Sequence, residues 1–77
     1  MKTTTVKVLL NDFSKIKKFN NEICKFESDI DLVKGRYVVD AKSTMGIFTL
    51  DLSVPIDVVL RGEEESEKFI EVMKEFE

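Results

Sequence analysis

The sequence has no histidine, no tryptophan, one cysteine and one proline among its 77 residues. No imidazole is therefore present to act as a nucleophile near neutral pH. Cys24 has no second cysteine with which to form a disulfide, and a chain without histidine offers too few soft ligands for structural zinc. The longest apolar runs fall far short of the ~20 residues that span a bilayer. We expect a cytoplasmic protein with no metal, no cofactor and no membrane partner.

Neither sign of charge dominates the chain. Twelve basic residues stand against 15 acidic ones, which gives a net charge of −3. No window interleaves basic and aromatic residues as nucleic-acid-binding segments do, so nucleic acid is not an expected partner. The length supports one domain over residues 1–77 with a single small core and little room for a deep active-site cavity.

Apolar periodicity in the first half of the chain predicts a strand, a helix and a hairpin. Thr3 to Leu10 alternates as a strand does, and Asp12 or Ser14 can cap the helix that follows and ends near Glu27. A glycine between two β-branched runs favours a tight hairpin turn. The helical stripe is Phe13, Ile16, Phe19, Ile23 and Phe26, and the hairpin joins Ile30–Leu32 to Tyr37–Val39 through Lys34-Gly35-Arg36.

The second half predicts a short helix, a strand and a final helix. The short helix lies within Thr44 to Leu52 with Ser43 at its N-cap, and the strand runs from Ile56 to Arg61. The final helix begins at the acidic run 63–65 and buries Phe69, Ile70, Met73 and Phe76. The order β-α-β-β-α-β-α indicates an α+β fold, in which three helices cover one face of a four-stranded antiparallel or mixed sheet.

The segment Lys42-Ser43-Thr44-Met45-Gly46 resembles the Lys-Ser-Ile-Met-Gly segment of the histidine phosphocarrier (HPr) family. Ser28 to Leu32, the glycine hairpin and the acidic run after Gly62 are also similar to that family, and the resemblance extends from about Thr3 to Phe76. It implies an open-faced β-sandwich and a link to the phosphoenolpyruvate-dependent sugar phosphotransferase system.

The resemblance fails at the family's phosphoryl-accepting histidine. In HPr that histidine stands beside Ala-Arg-Pro, takes phosphate from enzyme I and passes it to a sugar permease component. Counted without gaps from Lys42, its position falls on Asp12, and Ser14 and Lys15 replace the arginine and the proline. Two interpretations follow: a member that is not a carrier, or a carrier with another acceptor such as the Asp12 carboxylate, for which helix capping is the simpler role.

Ser43 matches the serine that a dedicated kinase phosphorylates in HPr of Gram-positive bacteria during carbon catabolite control. The catabolite-repression HPr homologues lack the histidine and keep this serine, so the resemblance implies a regulatory role. A phosphate at a helix N-terminus is electrostatically favoured. A helix cap alone would also explain a serine at this position.

The residues after Ser43 match the short helix through which HPr presents an apolar patch to its partners: Thr44, Met45, Gly46, Ile47 and Phe48. Met45 and Phe48 suit such a patch but could equally be core residues, and Ile47 is the better candidate for the core. We therefore expect a protein-binding module that is not an enzyme. An HPr-type kinase, a transcription regulator and phosphotransferase components are the candidate partners, and the oligomeric state stays open.

Overall fold

Four strands form one sheet in the order β1-β4-β2-β3, and all three neighbouring pairs are antiparallel. The computed structural model describes residues 2–77, apart from the side chain of Thr44. Of the two predicted arrangements, the wholly antiparallel one is correct. Gly35 turns the β2–β3 hairpin with φ +60°, as its position between the two runs predicts. The strands are β1 (Thr3–Val8), β2 (Ile30–Lys34), β3 (Tyr37–Asp40) and β4 (Ile56–Arg61).

Three helices complete the predicted order and cover one face of the sheet. They are α1 (Phe13–Ile23), α2 (Thr44–Ile47) and α3 (Ser66–Met73), and a 3-10 turn at Lys74–Phe76 extends α3. Along β4, Ile56, Val58 and Leu60 are fully buried and alternate with half-exposed residues, so this strand presents one face to the helices. The opposite face is left uncovered.

Two edge-to-face aromatic pairs lie in the core between the helices. The rings of Phe19 and Phe76 are 5.4 Å apart, and those of Phe26 and Phe69 are 6.1 Å apart. Each pair joins α1, or the loop that follows it, to the C-terminal helical segment. The first helix and the C-terminal helical segment are therefore packed against each other as well as against the sheet.

Two residues predicted to lie in the core are exposed. Phe13 is 67% exposed because it is the first residue of α1, and the buried stripe begins one turn later at Ile16. Ile70 is exposed because α3 buries Phe69 and Met73, and the residue after Phe69 is rotated about 100° away from that stripe.

The first helix ends earlier than predicted, at Ile23 rather than near Glu27. The next N–H groups form shorter-range bonds, from Lys25 to the Glu22 carbonyl and from Phe26 to the Ile23 carbonyl. After this tighter turn, the side chain of Phe26 is still buried in the core. Cys24, directly after the buried Ile23, is exposed at the end of the helix.

The last helix begins at Ser66, so the acidic run precedes it rather than forming its first turn. Glu65 shows the reason. One of its carboxylate oxygens accepts hydrogen bonds from the Ser28 hydroxyl at 2.7 Å, the Ser28 N–H at 2.8 Å and the Glu27 N–H at 3.0 Å. The Ser28 hydroxyl is the largest of the causes that lower the pKa of Glu65. Glu65 therefore ties the α1–β2 loop to the start of α3.

Phe13 and Phe19 lie on the same helix, and their burial predicts opposite results on truncation. Phe19→Ala should lower the free energy of unfolding by about 3–5 kcal/mol, because a fully buried ring is replaced by a cavity. Phe13→Ala should change it by less than about 1 kcal/mol, since this ring is already largely in water. Urea denaturation followed by circular dichroism measures both. Equal losses would contradict this assignment of the core.

Candidate functional site

Ser43 lies where β3 leads into α2, and it is the N-cap of that helix. Its backbone is extended, with φ −97° and ψ 108°, and its exposed hydroxyl accepts a hydrogen bond from the Gly46 N–H at 3.3 Å. The Ser43 carbonyl accepts from the Ile47 N–H at 3.1 Å. The cap predicted from the sequence is therefore present, and the hydroxyl oxygen also faces solvent.

In the one-turn helix that follows Ser43, some residues of the predicted patch are exposed and others are buried. Met45 is 84% exposed and Phe48 is 48% exposed, whereas Ile47 is fully buried. Ile47 therefore does not belong to an accessible patch, because it fills the core beneath α2. Gly46 is half-exposed, and a Cβ added to it would make ordinary contacts, at 3.5 Å, with Val39 and with the Ser43 hydroxyl. Only Met45 and Phe48 provide large exposed apolar side chains on this segment.

Phe13 adds a third exposed apolar side chain that the patch prediction did not include. Its ring stacks on that of Phe48, with centroids 6.2 Å apart and an angle of 21° between the planes. We call Phe13, Met45 and Phe48 the α1–α2 surface. A signal was available in the sequence, since Phe13 directly follows the predicted cap Asp12 and so stands at the very start of a helix.

A shallow groove of about 300 Å³ lies beside the stacked rings. Apolar, cationic and amide groups line it together, so it can accept an apolar side chain and also hydrogen-bond its neighbours. The lining residues are Phe13, Ile16, Lys17, Asn20, Asn21 and Phe48.

Asp12, the residue on which the ungapped count places the missing histidine, is the N-cap of α1. Its carboxylate accepts a hydrogen bond from the Ser14 N–H at 2.9 Å, so Asp12 rather than Ser14 caps the helix. Within residues 2–77, no three His, Cys, Asp or Glu side chains are grouped so that they could hold a metal ion. No helix in the same range is long and apolar enough to cross a membrane.

A wholly antiparallel four-stranded sheet with three helices on one face, and an apolar surface formed by the start of α1 and the end of α2, defines an HPr-type open-faced β-sandwich. The family described as "PTS HPr component phosphorylation site" matches residues 14–77. The chain belongs to the PTS HPr family. The match begins two residues after Asp12.

Solved HPr structures have the same fold. HPr-C-His from Thermoanaerobacter tengcongensis is 27% identical with a TM-score of 0.72, and the alignment covers 96% of this chain and 92% of that one. The phosphocarrier protein HPr from Bacillus anthracis is 23% identical with a TM-score of 0.75, and the coverage is 99% and 96%. Comparison with curated proteins gives no match.

The cap at Ser43 predicts how substitutions there affect stability. Ser43→Ala should lower the free energy of unfolding by about 0.5–1 kcal/mol, because the Gly46 N–H loses its acceptor. Ser43→Asp should leave stability within about 0.5 kcal/mol of the original, since a carboxylate also accepts at an N-cap. Thermal and urea unfolding measure both variants. A destabilising Ser43→Asp would contradict the capping assignment.

Proposed function

We propose that this chain is a non-enzymatic member of the HPr family that works by binding a protein partner, with Ser43 as its regulatory phosphorylation site. The observation that carries the proposal is the exposed, stacked pair of Phe13 and Phe48, with the exposed Met45 three residues before Phe48 in the chain. Exposing three large apolar side chains together costs free energy in water, which a partner would recover by covering them. Such a protein would act in the cytoplasm, where phosphotransferase partners reside.

The loss of the carrier role follows from chemistry at the start of α1. The phosphoramidate of HPr requires an imidazole, and this sequence has none. The carboxylate at the corresponding position, that of Asp12, already accepts a backbone hydrogen bond. This capping role supports the proposal that the start of α1 is retained in this protein whereas the phosphoryl acceptor is lost.

The charges beside the groove indicate what kind of partner would fit. Lys17 lines the groove, and neither Lys15 nor Lys17 forms an ion pair with any of residues 2–77, whereas Lys18 is paired with Glu75 at 2.8 Å. A complementary partner presents an apolar side chain with acidic residues around it. Phosphate on Ser43 would add roughly −1.5 to −2 charges near this surface and so change the preference for such partners.

Truncation of the α1–α2 surface should abolish capture of a specific partner. In pull-downs with quantitative mass spectrometry, Phe48→Ala should lower recovery at least about tenfold, as central aromatic anchors often do. Val38→Ala is the matched control, because Val38 is 56% exposed on β3 while its neighbour Val39 packs against the core. Ser43→Asp bait reports the effect of charge. A partner lost equally with Phe48→Ala and Val38→Ala would argue against this surface.

Phosphorylation assays separate the regulatory role from a carrier role. An HPr kinase with ATP should add one phosphate, and Ser43→Ala should receive none, as intact-mass spectrometry would record. Enzyme I with phosphoenolpyruvate should transfer nothing, while a histidine-containing HPr is modified in parallel as the positive control. An unmodified chain beside a phosphorylated control would refute the Ser43 assignment. Hydroxylamine-sensitive phosphate on Asp12 would instead make the chain a carrier with a carboxylate acceptor.

A further inference from the structure

The segment that follows α1 is bound by a lysine from a different part of the chain. The last turn of α1 contains no basic residue, although helix C-termini carry partial negative charge on their free carbonyls. Lys42 reaches across from the segment after β3 and donates from Nζ to the Phe26 carbonyl at 2.8 Å. This is a short, charge-assisted hydrogen bond to the turn that closes α1. Lys42 is the residue directly before Ser43.

A second contact ties the same segment to α1 in the opposite direction. The Asn20 side-chain amide donates to the carbonyls of Ala41 and Lys42, at 3.4 and 3.3 Å. Both bonds are long, as expected when one amide is shared between two acceptors, so each is weaker than the Lys42 bond. Together the contacts connect residues 41–42 to the middle and the end of α1.

The start of α2 needs this support because the helix is only four residues long. A single helical turn is unstable by itself, and the Ser43 cap bond is long at 3.3 Å. Burial of Ala41 and of Ile47 fixes the chain before and after the start of α2, whereas Lys42 is half-exposed and Ser43 is exposed. The Ser43 N–H donates to the Asp40 carbonyl at 3.0 Å and the Lys42 N–H donates to the Asp40 carboxylate at 2.9 Å, but both bonds stay within the turn after β3. The Lys42 ammonium adds a charged bond that joins this turn to the segment after α1.

We propose that Lys42 is a positioning residue: its bond to the Phe26 carbonyl, assisted by Asn20, holds Ser43 and the start of α2 against α1. The Ser43 hydroxyl, Phe13 on α1, and Met45 and Phe48 on the α2 segment then keep fixed positions relative to one another when a partner binds. The value of this arrangement for binding rests on the proposed function. The arrangement itself is measurable on the free protein, with neither kinase nor partner.

Amide hydrogen exchange of Lys42→Met tests the proposal, because methionine keeps the apolar stem and removes the ammonium. Exchange of the Ile47 amide, which bonds to the Ser43 carbonyl, should accelerate by roughly tenfold, as expected for loss of a charge-assisted bond. The Val58 amide in the central strand β4 should change by less than about threefold. That difference distinguishes local release of α2 from a general loss of stability.

Two further variants complete the experiment. Lys25→Met removes the same charge from the end of α1 but only breaks an exposed pair with Glu22, so it should leave Ile47 exchange unchanged. Lys42→Arg keeps a cation that can donate to the Phe26 carbonyl and should restore slow exchange. The proposal is overturned if Ile47 and Val58 accelerate together in Lys42→Met, or if Lys42→Arg behaves as Lys42→Met does. A failed kinase assay would refute the role of Ser43 and leave this exchange result standing.

Discussion

The structure depends on covering one face of a small sheet with very few side chains. In a chain of 77 residues, the net stability left after the loss of chain entropy is only a few kcal/mol, so each large buried ring matters. The edge-to-face pairs Phe19–Phe76 and Phe26–Phe69 join the beginning of the helical layer to its end. The position of α1, and hence of every group at its two ends, follows from this packing.

Phe13, Met45 and Phe48 are among the six large apolar side chains of residues 2–77 that are exposed rather than buried in this small core. A small domain gains most by burying its aromatic residues, yet two of the six phenylalanines stack on each other at the surface. Their stacking removes part of the exposed area from water and aligns two rings beside one groove. This arrangement favours a surface that is completed by another protein.

The sequence predicted the element order, the strand Ile56–Arg61, the glycine hairpin and the Ser43 cap, because periodicity and turn chemistry are local properties. It misplaced what depends on tertiary contacts. Phe13 fits the helical period but lies beyond the edge of the core. The early start predicted for α3 failed because Glu65 bonds to Ser28, which is 37 residues away. Similarly, no local pattern relates Lys42 to the carbonyl of Phe26.

The ungapped count from Lys42 places the histidine that this sequence lacks on Asp12, which is a helix cap rather than part of the core. Any side chain that accepts the Ser14 N–H can begin α1 there, and aspartate does so with an exposed carboxylate. The fold therefore sets no requirement for imidazole, whereas the phosphoramidate of a histidine carrier does. The surface beside the cap is built differently, from Phe13 on α1 and Phe48 at the end of α2. Its integrity depends on how those two helices are held together, so the surface that we propose for binding does not depend on which residue caps α1.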